Sequence, residues 1–132
     1  MKITAKTKIE DLSKKKFKKL FKYSVRFCEQ NLGFNKRKKL PLEVLWSKNT
    51  NEDCYGWYDA TDHTIQINAN CETVSDFTRT MVHEWTHSLQ PVLSKYAKLY
   101  KQYGYDNHPM EIEAYAAEKT WNRKMLNYLK SI

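Results

Sequence analysis

Glycine, proline and cysteine are scarce, three of each in 132 residues. So few glycines and prolines exclude a collagen-like or linker-like chain and argue against a loop-dominated architecture. The cysteines (Cys28, Cys54, Cys71) are odd in number and form no Cys-x-x-Cys pair. That argues against a disulfide framework and a cysteine-type zinc finger, and it fits a reducing compartment, so the expected location is cytoplasmic. A Cys54–Cys71 bridge would require a hairpin that brings the two together. No stretch of 18 apolar residues occurs, so no membrane span is expected. Residues 1–22 are too charged for a secretory signal peptide. With 41% hydrophobic residues, a chain of this length can bury the core of one domain without disulfides. The expectation is a single domain over residues 1–132.

Charge is unevenly spread. Residues 1–40 carry 14 Lys and Arg against 3 Asp and Glu, whereas residues 41–132 carry 9 against 12. A basic first third is therefore joined to a mildly acidic remainder. The basic segment is either a solvated helix face or a contact for an anionic partner, such as nucleic acid or an acidic protein surface. No nucleic-acid-binding motif accompanies it.

The pattern of elements follows from apolar spacing. Residues 1–10 read as irregular, and deleting them is expected to matter little. Leu12, Phe17, Leu20, Phe21, Ser24, Val25, Phe27 and Cys28 recur at helical spacing from a start at Asp11 or Ser13, with Gly33 suited to the C-terminal cap. Residues 36–39 form a basic loop ending at Pro41. Residues 42–46 are β-prone, 49–53 read as a polar turn, and 55–58 and 63–67 read as two strands around the turn 59–62. Thr73 or Ser75 can cap the next helix, whose stripe is Phe77, Met81, Val82, Trp85 and Leu89. A third helix spans about 92–103 up to Gly104, and Pro109 suits the first position of a last one. The order helix, strands, helices predicts an α+β fold with a small antiparallel or mixed sheet.

One motif carries chemistry. His83-Glu84-Trp85-Thr86-His87 is an HExxH sequence inside a predicted helix. Positions i and i+4 lie one turn apart on one side of a helix, so both imidazoles can chelate a single ion. Imidazole nitrogen suits Zn²⁺, which in catalytic sites has three protein ligands and a water. Glu84 is rotated off the ligand axis and can take a proton from that water as general base. A third ligand must come from elsewhere. The candidates are His108, Glu111 and Glu113. The two glutamates lie about 200° apart on a helix, so only one can reach the ion. Glu111 would share a face with Ala114, Tyr115 and Glu118, and Glu113 with Ala116, Ala117 and Thr120. Spacing alone does not choose between them.

The stretch from Asn107 to Ala114, placed after the HExxH helix, resembles the second element of gluzincin metallopeptidases, in particular the minigluzincins and the ImmA/IrrE-type peptidases. The resemblance covers roughly residues 55–118. It implies a zincin-like domain with a small sheet or hairpin, an active-site helix and a following ligand-bearing helix. It also implies one zinc ion held by His83, His87 and Glu111, and hydrolysis of a peptide or protein substrate with Glu84 as base. In zincins the second strand of such a hairpin lies beside the cleft and binds extended substrate. The segment 55–68 also looks like the equivalent region of SprT-like proteases, which use a third histidine; His108 would then serve. The chain departs from the thermolysin pattern, since Tyr115 and not Asp stands four residues beyond Glu111. The partner that orients the histidines is therefore open.

Other polar and aromatic residues read more plainly. His63, at the hairpin turn, is expected at the surface. Tyr103, Tyr105 and Tyr115 can donate to an oxyanion. Tyr55, Trp57 and Tyr58 are expected in the core or on the sheet face. The alternative to a peptidase is a metal-stabilised module without catalysis, whose basic residues 1–40 bind nucleic acid or a partner protein beside a metal-site core at 41–132.

Overall fold

Ser13 starts the first long helix: its hydroxyl accepts the Lys16 amide at 3.2 Å. The computed structural model describes residues 3–48, 55–91 and 93–132. The elements in order are a 3-10 turn Ile9–Asp11, α1 Lys14–Asn31, β1 Glu43–Ser47, β2 Gly56–Asp59, β3 Thr64–Asn68, α2 Val74–Leu89, α3 Leu93–Tyr103 and α4 Pro109–Lys130. The fold is α+β, and the described residues form four helices and a three-stranded mixed sheet. The polar turn expected at 49–53, and Cys54 with its possible bridge, lie outside the described residues.

α1 is amphipathic, and its two faces have different fates. Leu20, Ser24, Phe27 and Cys28 are buried. Phe17 and Phe21 pack on Phe77 of α2, and Phe17 also on Trp46 of β1, with ring centroids 4.8–6.0 Å apart. Gly33 closes the helix at φ +76°, a conformation costly for any residue with a Cβ, and its amide reaches the Cys28 carbonyl at 3.0 Å. On the far face Lys14, Lys15, Lys16, Lys18, Lys19, Lys22 and Arg26 are exposed. None of them makes a salt bridge among the described residues.

The sheet order is β1-β3-β2, with β1 parallel and β2 antiparallel to β3. β3 is thus the central strand, and its Ile65 and Ile67 are fully buried. This corrects the expectation about the hairpin. Its second strand, β3, is central because the parallel partner β1 occupies its other side, so among the described residues β1 and β2 are the two edges.

One further expectation fails, on His63, and residues 3–8, irregular as expected, are nonetheless firmly held. Residues 3–9 are not a loose end. Ile3 is buried, Lys8 bridges Thr73, and the chain exchanges three backbone hydrogen bonds of 2.9–3.0 Å with Glu72, Val74 and Ser75 at the start of α2. The orphan amides of a helix N-terminus make such a docking favourable. His63 is buried and not at the surface. The turn puts it at φ +54°, which folds its ring back so that Nδ1 meets the Tyr58 hydroxyl at 2.7 Å. Burial, aided by the charge of nearby Lys38, lowers its pKa. Lys38 itself donates to the Ala60 carbonyl at 3.0 Å, so the basic loop is docked on the hairpin turn.

α2 begins with a reciprocal capping box between Thr73 and Asp76. Val74, Phe77, Met81, Val82 and Trp85 point into the core, and the Trp85 indole donates to the Gly33 carbonyl at 2.7 Å. α4 lies alongside, pinned by the Thr78 hydroxyl donating to Asn122 at 2.6 Å, with Ala114, Met125 and Leu129 buried. No described helix is long and apolar enough to cross a membrane.

Candidate metal centre and cleft

α2 and the first turn of α4 bring three side chains to one point. Glu111 Oε1 lies 2.9 Å from His83 Nε2 and 3.0 Å from His87 Nε2, and the two Nε2 atoms are 3.2 Å apart. His83 and Glu111 are buried and His87 nearly so. These three donors form a group able to hold a metal ion. Of the three candidates, Glu111 is the one the fold brings to the two histidines.

The other two candidates do different work. His108 is completely buried as the N-cap of α4. Its Nδ1 accepts the Met110 amide at 3.1 Å and its Nε2 donates to the Tyr96 carbonyl at 2.9 Å, so neither nitrogen is free to ligate. Glu113 lies on the exposed side of α4, where its Oε1 accepts from Gln90 Nε2 at 2.8 Å.

Each donor has a partner of its own. Glu118 Oε2 sits 2.6 Å from His83 Nδ1, and Gln90 Oε1 sits 2.6 Å from His87 Nδ1. The Gln90 amide nitrogen donates to the Met110 carbonyl at 2.9 Å, which fixes the orientation of its oxygen. The Tyr96 hydroxyl donates to Glu111 Oε2. Both histidines thus present an Nδ1–H to an acceptor and turn Nε2 to the common point, the arrangement that orients imidazole ligands. The residue that orients His83 comes seven positions after Glu111, two turns along the same face. Tyr115, at the intermediate position, instead packs its ring edge-on to His83, with centroids 4.6 Å apart. The sequence offered a signal for Glu118, its shared face with Glu111. It offered none for Tyr96, and only nearness to His87 for Gln90.

The charges respond to this crowding. Burial disfavours the His83 cation, but hydrogen bonds to Glu111 and Glu118 outweigh it and push the pKa up to about 9. Burial likewise opposes the His87 cation, and Glu111 again tips it upward. Glu111, despite its burial, is held well below the usual carboxylate range by His83, His87 and Tyr96. Glu84 goes the other way: burial raises it to about 7 against the pull of His83 and His87.

A cleft runs across the centre. One side, of about 390 Å³, is walled by Trp57 and Tyr58 of β2 and by Pro91, Tyr96 and Met110. The other, of about 520 Å³, is more polar, with Asp76, Arg79 and Glu118. Gly56, His83, Glu84 and Tyr105 line both sides. Tyr58 packs on the core and Trp57 stands on the sheet, as expected, and both also wall the cleft, whereas Tyr55 precedes β2 and lines the more polar side. Of the oxyanion candidates, Tyr105 and Tyr115 share a hydroxyl contact of 2.9 Å at the cleft, whereas Tyr103 is exposed at the end of α3 and lines neither side. No protein-family model, curated protein or solved structure matches this chain.

Proposed function

We propose that this protein is a zinc-dependent peptidase of gluzincin type, with His83, His87 and Glu111 as ligands and Glu84 as general base. The observation that carries the reading is the convergence of the HExxH histidines with Glu111 on a cleft that Glu84 also lines. A tetrahedral zinc with bonds of about 2.0–2.1 Å separates its ligand atoms by about 3.3 Å. The three atoms stand 2.9–3.2 Å apart, so a small outward shift accommodates the ion. The Nδ1 partners leave both Nε2 lone pairs directed at it. Three protein donors beside an open cleft support a catalytic site, since structural zinc is enclosed by four.

Zinc bound there supplies a water of lowered pKa and polarises a carbonyl. The protein's own groups do the rest. Glu84 takes the proton of the attacking water on its carboxylate and passes it to the departing amine. β2, an edge strand along the cleft, offers free backbone groups to an extended peptide, which would add as a further strand. The exposed cations of α1 support contact with an anionic partner.

The test compares wild type with Glu84→Gln on an unstructured protein substrate, with products read by mass spectrometry. Cleavage that needs zinc, stops with a chelator and is lost in the variant while zinc content persists is the expected result. A variant as active as wild type, or no cleavage of any peptide by zinc-loaded protein, overturns the reading.

A further inference from the structure

α3 is a helix with little core to sit on. Its apolar spacing is that of an amphipathic helix, yet of its described side chains only Tyr96 and Leu99 are even half-buried. Tyr100 and Tyr103 are 52% and 45% exposed. Its ends are set by Pro91, after which α2 cannot continue, and by Gly104 at φ +75°. Surface helices of this kind are drawn from the low-stability end of a fold unless something specific holds them.

Among the described side chains of α3, Tyr96 makes the specific contacts. Its ring lies on the His108 imidazole, with centroids 4.0 Å apart and planes 30° apart, and its carbonyl accepts from His108 Nε2. Its ring meets that of His87 edge-on, with centroids 6.0 Å apart. Its hydroxyl donates to Glu111 Oε2, the oxygen that does not face the histidines. A carboxylate that ligates through one oxygen keeps a second free to swing. Here that second oxygen is taken by a side chain from another helix.

We propose that Tyr96 is a positioning residue of the metal centre and the latch of α3: it holds Glu111 to one-oxygen ligation, and the ligated Glu111 in turn holds α3 over the cleft. The inference rests on the reading of His83, His87 and Glu111 as a metal site. The coupling is reciprocal. When the ion fixes Oε1 it also fixes Oε2 as an acceptor for Tyr96, so a bond that strengthens metal binding must stabilise closed α3 by the same factor. Because Tyr96 and Pro91 wall the apolar side of the cleft, release of α3 opens that side.

The experiment has two parts. Zinc affinity is measured by competition with a chromophoric chelator for wild type, Tyr96→Phe and, as a control on the same helix, Tyr100→Phe. Amide hydrogen exchange of residues 93–103 is followed with and without zinc. Loss of an outer partner of a ligand costs 10–100-fold in affinity. Tyr96→Phe is expected to show that loss and Tyr100→Phe to match wild type. Zinc is expected to slow exchange in α3 of wild type and to leave it unchanged in Tyr96→Phe. Equal zinc affinity of Tyr96→Phe and wild type overturns the latch and spares the metal site. So does an α3 in wild type that exchanges equally fast with and without zinc, a result that needs no variant. A wild type that binds no zinc overturns both.

Discussion

The proposed metal site makes its sharpest expectation about which acid completes it, and paired substitutions test that. Glu111 is 5% exposed, with Oε1 at 2.9 and 3.0 Å from the two Nε2 atoms, whereas Glu113, two residues on, bonds only through Gln90 to His87. Removing a residue that merely orients a ligand costs about 10–100-fold in metal affinity. Glu111→Ala removes one of three protein donors, so its cost should exceed 100-fold, or about 2.8 kcal/mol. Glu113→Ala leaves Gln90 its bond to the Met110 carbonyl, so the loss should stay under about 10-fold. Glu111→Gln, which fills the same space, separates the loss of charge and donor strength from the loss of packing. The assay is a competition titration with a chromophoric zinc chelator, with circular dichroism as the check on folding. A larger loss in Glu113→Ala than in Glu111→Ala refutes the assignment.

Other expectations follow from the packing. Ile3→Ala should lower stability by about 2 kcal/mol and the thermal midpoint by roughly 6 °C, because Ile3 lies in the core; an unchanged midpoint would show that the N-terminal strap is dispensable. Gly56→Ala should cost about 1–3 kcal/mol in a denaturant titration, since an added Cβ would stand 2.5 Å from the Gln66 carbonyl oxygen and 2.9 Å from Thr80 Cγ2; a neutral effect would mean that β2 yields freely. The exposed cations of α1 should retain the protein on heparin in a salt-dependent way, and Lys18→Glu with Lys22→Glu should lower the eluting salt concentration; equal elution would mark that face as only solvated.

The sequence showed the elements better than their arrangement. Helical periodicity placed α1, α2 and α4 because their stripes bury a core, and Ser13, Thr73 and Pro109 marked their starts by chemistry that acts within one turn. Strand order lacks such local signals. That β1 pairs in parallel with β3 is a long-range matter, and it is what makes β3 the central strand. The docking of residues 3–9 was illegible for the same reason: their partners are backbone groups at the head of α2, about 65 positions away. His63 misled because a turn position usually faces water, and only a positive φ turned its ring under Tyr58.

The centre was legible to the extent that it is helical. The i, i+4 histidines and the glutamates on one face of α4 are fixed by 3.6 residues per turn, and Glu118 follows Glu111 by nearly two whole turns. What spacing could not supply is the contribution of neighbours that cross the cleft. Tyr96 comes from a helix whose own pattern suggests only a core stripe, and Gln90 acts because α2 ends there and its side chain can bridge His87 to the first turn of α4. The choice between Glu111 and Glu113 was likewise a tertiary matter. Buried Ala114 faces α2, which turns Glu111 inward and Glu113 out toward Gln90. A motif therefore identifies which atoms can meet an ion, and the packing of the following helix decides which of them do.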